Sequence, residues 1–312
     1  MTGAAIVGSE KWFGYRHSGV LIASGFEVPE WLGFAETFGD EATDIKIEIG
    51  TAGLEPIPSD QHGVYDGGCM TFSEPLAGRW SICDGKKIIV EPISVERMTE
   101  ARLYTLGSAW GALGYQRGWA MLHGSAVQIG AKTALFAGEA NQGKSTIAAA
   151  LTRAGARLLS DDLSRVRPPS GNDGTQLWPS GARLKLWEEA LNHFGLQHSE
   201  LVQDHFRDQK FHLAVDQGPI DAAPVPLSAV FVLEWRDTIA VERLRGSEAV
   251  RALADATMYR KEYLELMGKL GEQVVHCARI AAQVPIYRVT RPRDFMLLDE
   301  VCDRVSLSLS DL

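Results

Sequence analysis

The sequence predicts an α/β (α+β) chain in two parts, a small β-rich domain over residues 1–98 and a larger α/β domain over 99–312. Three observations predict it. Short runs rich in β-branched and aromatic residues fill the first third, and helical periodicities dominate the last. Between them, a glycine-rich turn stands between an apolar run and an amphipathic one. At 312 residues, the chain exceeds what one hydrophobic core usually serves, so a large domain beside a smaller one is expected.

Between Trp12 and about Pro92 the apolar runs are Gly19–Ser24, Ile45–Ile49, Arg79–Cys83 and Lys87–Val90, separated by Gly, Pro and Asp. Ile45–Ile49 alternates strictly, the period of a strand with one buried face. Asp84-Gly85 lies between two such runs and predicts a tight hairpin turn. Leu54–Asp60 reads as a loop. No internal repeat and no catalytic constellation is visible here, so this part is expected to shape or recognise rather than react.

Residues 99–117 read as one helix, with Thr99 as its cap and Gly118 as its stop. Leu103, Leu106, Trp110 and Leu113 share one face, expected to be core packed against the sheet that follows. Trp119–Ile129 and Thr133–Ala137 are strands joined by a turn at Gly130. The second strand feeds the glycine-rich turn, and a helix over Ile147–Ala154 follows it, ended by Gly155. Ala156–Ser160 is the next strand. A strand–loop–helix–strand unit returns its second strand parallel to the first, so Asp161 and Asp162 are expected at the same edge as the loop. Arg167–Gly174 is a polar loop, Pro179–Trp187 a strand-to-helix entry, and Leu227–Leu233 a strand. Helices are expected over Ser247–Met258 and Tyr263–Ala282, then a last strand at Ile286–Val289 and a closing helix after Arg291-Pro292-Arg293-Asp294.

The formal net charge of −9 argues against a broad nucleic-acid or anionic-membrane footprint and for local sites that take small anions. Cys69, Cys83, Cys277 and Cys302 show no C-x-x-C and no zinc-type spacing, and read as reduced structural cysteines. The first ten residues lack the pattern of a signal peptide, and no apolar run is long enough to cross a bilayer. A cytoplasmic protein with no nucleic-acid or membrane partner is expected.

The chemistry centres on Gly138-Glu139-Ala140-Asn141-Gln142-Gly143-Lys144-Ser145, followed by Thr146. It fits G-x-x-x-x-G-K-[ST], in which backbone amides and a helix N-terminus surround a nucleotide's phosphates. Lys144 would reach the β- and γ-phosphates and Ser145 would ligate Mg²⁺, so ATP and Mg²⁺ are the expected ligands. In an extended segment Asp161 and Asp162 point to opposite faces. One could support the loop or metal while the other meets an incoming hydroxyl. Alternatively, the pair caps a turn. His123, on a neighbouring strand, could orient one of these carboxylates or be a satisfied core residue. Arg207, Lys210 and Arg260 could neutralise a transferred phosphate or form a solvated face. No Asn/Thr-Lys-x-Asp motif speaks for a GTP-specific switch.

Met121-Leu122-His123-Gly124-Ser125-Ala126-Val127, the loop Gly138–Ser145 and Leu158-Leu159-Ser160-Asp161-Asp162 together resemble the catalytic domain of the HPr kinase/phosphorylase family, over about residues 100–235. Leu106-Gly107-Ser108-Ala109-Trp110-Gly111 and the segment from Tyr287 to Asp294 are similar to HPr-kinase-like proteins, some of them in peptide-modification gene clusters. The resemblance implies a P-loop kinase domain with a mixed sheet, related to phosphoenolpyruvate carboxykinase. It implies an ATP- and Mg²⁺-dependent kinase acting on a serine of a protein or ribosomally made peptide. Lys144 would hold phosphates, Ser145 and Asp161 would serve the metal, and Asp162 would be the base with His123 beside it. Oligomers are common in that family, which makes a homo-oligomer an expectation here.

The sequence departs from the family in three places. Trp178-Pro179-Ser180 holds no carboxylate where a further metal ligand is expected. The glycine-rich segment tied to the reverse, phosphorylase reaction is not recognisable. Asn141 and Gln142 replace small residues in the loop. Two other functions stay open, a kinase for a small metabolite such as a free hydroxy amino acid, and a non-catalytic nucleotide-binding regulator.

Overall fold

The computed structural model describes residues 11–37, 43–53, 57, 61–171, 173–204 and 207–312. The first ten residues, most of the Leu54–Asp60 loop, Asn172, and His205-Phe206 lie outside the described residues.

Seven strands form the first sheet: β1 (Phe13–His17), β2 (Val20–Ser24), β3 (Ile45–Ile49), β4 (Val64–Asp66), β5 (Cys69–Glu74), β6 (Gly78–Cys83) and β7 (Lys87–Pro92), in the order β1-β2-β3-β7-β6-β5-β4. β3 is parallel to both neighbours and the remaining pairs are antiparallel. Asp84 and Gly85 link β6 to β7, both at positive φ (54° and 64°), as the Asp-Gly pair predicts. Cys69 and Cys83 face each other across β5 and β6 and are joined by a disulfide. This corrects the expectation of four reduced cysteines. The pairing depends on hairpin register, which the 14-residue separation does not reveal. Cys277 and Cys302 are free and buried.

A 3-10 turn at Val95–Arg97 precedes α1 (Met98–Tyr104), so Thr99 lies inside the helix and is not its cap. A π turn at Thr105–Ala109 separates α1 from α2 (Trp110–Gln116). Gly118, at φ 68°, ends the helix as expected. Ala101, Ala109, Trp110 and Leu113 share one core with Ile22, Met70, Trp80 and Ile82 of the first sheet as well as Met121. The helix therefore packs on the sheet before it as much as on the one after it.

The second sheet contains β8 (Ala120–Ile129), β9 (Lys132–Ala137), β10 (Arg157–Ser160), β11 (Leu163–Arg167) and β12 (Gln176–Leu177), with α3 (Lys144–Arg153) between β9 and β10. β13 (Arg183–Trp187), β14 (Val202–Gln203) and β15 (Lys210–Ala214) make a small third sheet, with α4 (Glu188–His193) after β13. The second sheet continues with β16 (Val225–Pro226), β17 (Ala229–Trp235) and β18 (Ala240–Leu244). After α5 (Gly246–Thr257), α6 (Lys261–Leu266) and α7 (Leu270–Gln283), β19 (Ile286–Arg291) and α8 (Leu298–Ser310) close the chain. The expected single helix over Tyr263–Ala282 is thus two, broken where Gly268 takes φ 65°.

The second sheet is mixed: β9, β17 and β19 are mutually parallel, while β8 and β18 flank them antiparallel. Helices cover both faces, which is why β9 and β17 are apolar at nearly every position. Ala134, Phe136, Ala229 and Phe231 pack with α3 and α8, whereas Leu135, Ala137, Val230 and Val232 pack with α5 and α7.

Candidate functional site

β10 and β11 lie end to end along the same edge of β8, with Ser160 opposite Ala126 and Leu163 opposite His123. Asp161 and Asp162 occupy the break between them. Asp162 takes φ 83°, an unusual conformation for a residue with a side chain, and one that clusters at functional sites. Gly124 N still donates to Asp162 O at 3.2 Å, which keeps the break tied to β8. β9 pairs with the other edge of β8. β9 and β10 therefore run in the same direction, as the strand–loop–helix–strand unit predicts, with β8 between them.

The loop from β9 enters α3 at Lys144. Gly138, Asn141 and Gly143 take positive φ (148°, 65° and 75°), and Lys144 Nζ donates across the loop to the carbonyls of Gly138 (2.8 Å) and Glu139 (2.9 Å). Two side chains from the carboxyl ends of β17 and β19 brace the loop from outside. Trp235 and Arg291 are register partners in that parallel pair, and the guanidinium lies 4.2 Å from the indole centroid. Trp235 Nε1 donates to Asn141 O at 3.2 Å and Arg291 Nη2 to Gln142 O at 2.6 Å. The two residues that depart from the small-residue pattern are thus held through their backbone carbonyls. Gly143 needs glycine for its φ, and a Cβ there would lie 2.5 Å from Arg291 Nη2 and push the guanidinium off Gln142 O.

Asp161 ties this loop to the strand break. Its Oδ1 accepts from Ser145 Oγ (2.8 Å) and Ser125 Oγ (2.6 Å), and its Oδ2 accepts from Lys185 N (2.8 Å). Asp162 points elsewhere: Lys185 Nζ lies 2.6 Å from its Oδ2, and His123 Nε2 lies 3.5 Å from its Oδ1. Burial would raise the Asp162 pKa, but the Lys185 ammonium overrides it, with His123 and Lys210 adding to the effect, and holds the carboxyl well below the usual range. Burial pushes His123 down to about 4 against the pull of Asp162. His123 is therefore neutral near pH 7 and flanks Asp162 at 3.5 Å without a hydrogen bond to it.

These groups line one chamber of about 500 Å³, a usual size for a ligand pocket. Arg207, Lys210 and Arg260 all line it, together with His123, Lys144 and both aspartates. Burial, with Arg207 adding to it, lowers the Lys210 pKa. Leu103, expected in the core, lines the chamber instead.

Among the described residues no group of three or more His, Cys, Asp or Glu could hold a metal by itself. Mg²⁺ rarely needs such a cage, because phosphate oxygens and waters supply most of its octahedron. Ser145 Oγ and Asp161 Oδ1, 2.8 Å apart, suit the protein's share. Glu188 and Glu189 bring further carboxylates to the chamber wall, whereas the Trp178 ring takes the Arg165 guanidinium at 4.2 Å.

Lys185, Tyr259, Trp235 and Arg291 are site residues that sequence reasoning missed. Lys185 had a signal. Arg183-Leu184-Lys185-Leu186-Trp187 alternates with period two, and it buries both leucines while Lys185 and Trp187 line the chamber.

Burial lowers Lys144 to about 8, against the opposing pull of Asp162 and Asp161. Bound phosphate would favour the ammonium, so nucleotide binding just above pH 8 is expected to take up a proton. Calorimetry in two buffers of different ionisation enthalpy reads this as a difference in apparent heat. Lys144→Arg, charged throughout, should abolish the difference.

No protein-family model matches the chain, and no curated protein matches it. Among solved structures, the chain is similar to the Hpr(Ser) kinase/phosphatase from Coxiella burnetii, at 12% identity over 61% of this chain and 97% of that one. The TM-score is 0.30, too low for the similarity to carry an argument.

Proposed function

We propose that the chain is an ATP-dependent phosphotransferase that moves the γ-phosphate to a serine-type hydroxyl of a protein or peptide. One observation carries the reading. Asp161 hydrogen-bonds Ser145 at the loop and lies next to Asp162 in the strand break, so phosphate-binding and proton-accepting groups share one wall.

The loop amides and Lys144 would hold the triphosphate, with Arg207 and Lys210 available to the charge that moves. Ser145 and Asp161 would hold Mg²⁺, which when bound neutralises charge on the phosphate oxygens. With Oδ2 committed to Lys185, Asp162 offers Oδ1 to the acceptor hydroxyl. As the new O–P bond forms and the bond to the β-phosphate oxygen breaks, the hydroxyl proton passes to Asp162 and ADP leaves. Low basicity makes Asp162 an orienting group first, taking the proton late. Neutral His123 limits rotation of that carboxylate.

The test is transfer from γ-labelled ATP by wild type and Lys144→Ala, offered extract proteins and free hydroxy amino acids as separate acceptor pools. Label on a polypeptide in wild type alone supports the reading. Label on a free amino acid moves the acceptor to a small metabolite. Bound ATP with no transfer to either pool favours a nucleotide-binding regulator.

A further inference from the structure

The chamber wall beyond Asp162 comes from α1, the π turn and the link between α5 and α6. Tyr259 occupies its centre. Its ring meets His123 edge-on, with centroids 5.5 Å apart. A Cβ on Gly107 would lie 3.0 Å from the Tyr259 hydroxyl and one on Gly111 3.1 Å from the ring. The helix is therefore pressed bare against the tyrosine, and the π turn brings Gly107 and Ser108 to the chamber. π turns inside helices are often found at functional sites.

Arg260 follows Tyr259 and adopts left-handed backbone angles, φ 47° and ψ 60°. With Asn141 and Asp162, it is one of three non-glycine residues at positive φ that line the chamber among the described residues. Its Nε donates to Ser108 Oγ at 3.1 Å, so the π turn fixes the guanidinium. Its Nη1 forms an ion pair with Glu262 Oε1 at 3.6 Å, longer than a hydrogen bond, with which an incoming carboxylate would compete. A guanidinium fork anchored at Nε in this way suits a planar carboxylate.

We propose that the Ser108–Tyr259–Arg260 wall is an acceptor subsite for a carboxylate carried close to the accepting hydroxyl. This inference rests on the phosphotransferase reading and names its substrate class. The Tyr259 ring touches His123, which lies beside Asp162, and Arg260 follows Tyr259 in the chain. Asp162 and the Arg260 guanidinium thus line neighbouring parts of one chamber, and an acceptor that meets both carries its hydroxyl and carboxylate on one small unit. A free hydroxy amino acid has this form, and so does a peptide that ends in serine. The chamber must also take the nucleotide, so the acceptor group that reaches Arg260 shares it with the phosphates, as a small acceptor or a chain end can. The step is the one already balanced above: the hydroxyl oxygen gains phosphorus, its proton goes to Asp162, and the carboxylate is unchanged.

The experiment uses the full chain with γ-labelled ATP and Mg²⁺. Acceptors are L-serine, L-serinamide, the tripeptide Ala-Ala-Ser and its C-terminal amide, with a cell extract as a separate pool. A free-acid acceptor is expected to exceed its amide by about tenfold or more in kcat/KM, mainly through KM, since a charge-assisted pair is lost in the amide. Which acid is labelled identifies the source. Arg260→Met should bring acid and amide together, and Arg260→Lys should restore part of the preference. Nucleotide affinity, measured for each variant, separates a lost subsite from a lost fold. Equal use of acids and amides, or label only on extract proteins, overturns the inference and leaves phosphoryl transfer standing. Failure of wild type to bind ATP removes both.

Discussion

Asp162→Asn is expected to lower phosphoryl transfer by about 10²–10⁴-fold, with no loss of nucleotide affinity. The amide is nearly isosteric with the carboxylate and cannot take the hydroxyl proton. Lys185→Met should act differently, because it leaves the carboxylate in place without its 2.6 Å partner. In wild type the depressed Asp162 pKa keeps the group ionised from neutral pH to below the ordinary carboxylate range. The stability it contributes is present above the unfolded value and is lost only as pH falls through the folded one. Without Lys185, burial dominates and the pKa rises. The pH–rate profile of Lys185→Met should therefore gain an acid limb that wild type lacks over the same range. Unfolding should also cost less, by less than a fully buried pair would give, because the two side chains retain 20% and 26% exposure. Unchanged transfer by Asp162→Asn would falsify the role of Asp162 as the proton acceptor.

The second large effect is on stability. Glu30 lies in a 3-10 turn at Pro29–Phe34, and its carboxylate takes Arg102 Nε at 3.0 Å and Arg183 Nη1 at 3.3 Å. The three side chains retain 12%, 19% and 25% exposure, so none is well solvated. Glu30→Ala would leave two confined guanidinium groups facing each other, and a loss of about 3–5 kcal/mol in unfolding free energy is expected. Arg183 shares β13 with Lys185, whose amide donates to Asp161. The same substitution should therefore weaken the carboxylate pair before global unfolding. Hydrogen exchange at the Lys185 amide, compared with equilibrium denaturation, checks both parts. Equal exchange protection in variant and wild type would disconnect the pair from the site.

Much of the second sheet was legible because both faces are covered. Continuous apolar runs such as Leu135–Ala137 leave little else for a strand bounded by glycine turns. The loop was legible for a chemical reason, since close approach to phosphate demands glycine and lysine at fixed spacing. β18 escaped notice because Glu242 and Arg243 stand side by side, whereas β5 and β15 do alternate, at Met70–Ser73 and Lys210–Leu213, in runs too short to stand out from the loops around them. The Cys69–Cys83 bond and the strand break at Asp161-Asp162 depend on register, which is a property of two segments at once. Tyr259 and Arg260 lie in a link between helices, where no periodicity marks a side chain as functional. Trp235 and Arg291 could have been suspected from their place at the carboxyl ends of parallel strands, where ligands of such sheets tend to bind.

The π turn at Thr105–Ala109 bears on how this chain tolerates change. A π turn amounts to one residue added to an α-helix, and each residue turns a helix by about 100°. Deleting one residue there would let the turn close as ordinary α-helix. Because the wider π turn already absorbs the extra residue, the segments on either side would keep their facing, with Ala101 in the shared core and Leu103 and Tyr104 at the chamber. The bulge itself would go, and with it the outward set of Gly107 and Ser108 at the chamber wall. The π turn is thus the place where this helix can lose a residue and keep its packing, and the loss would be read at the chamber rather than in the core.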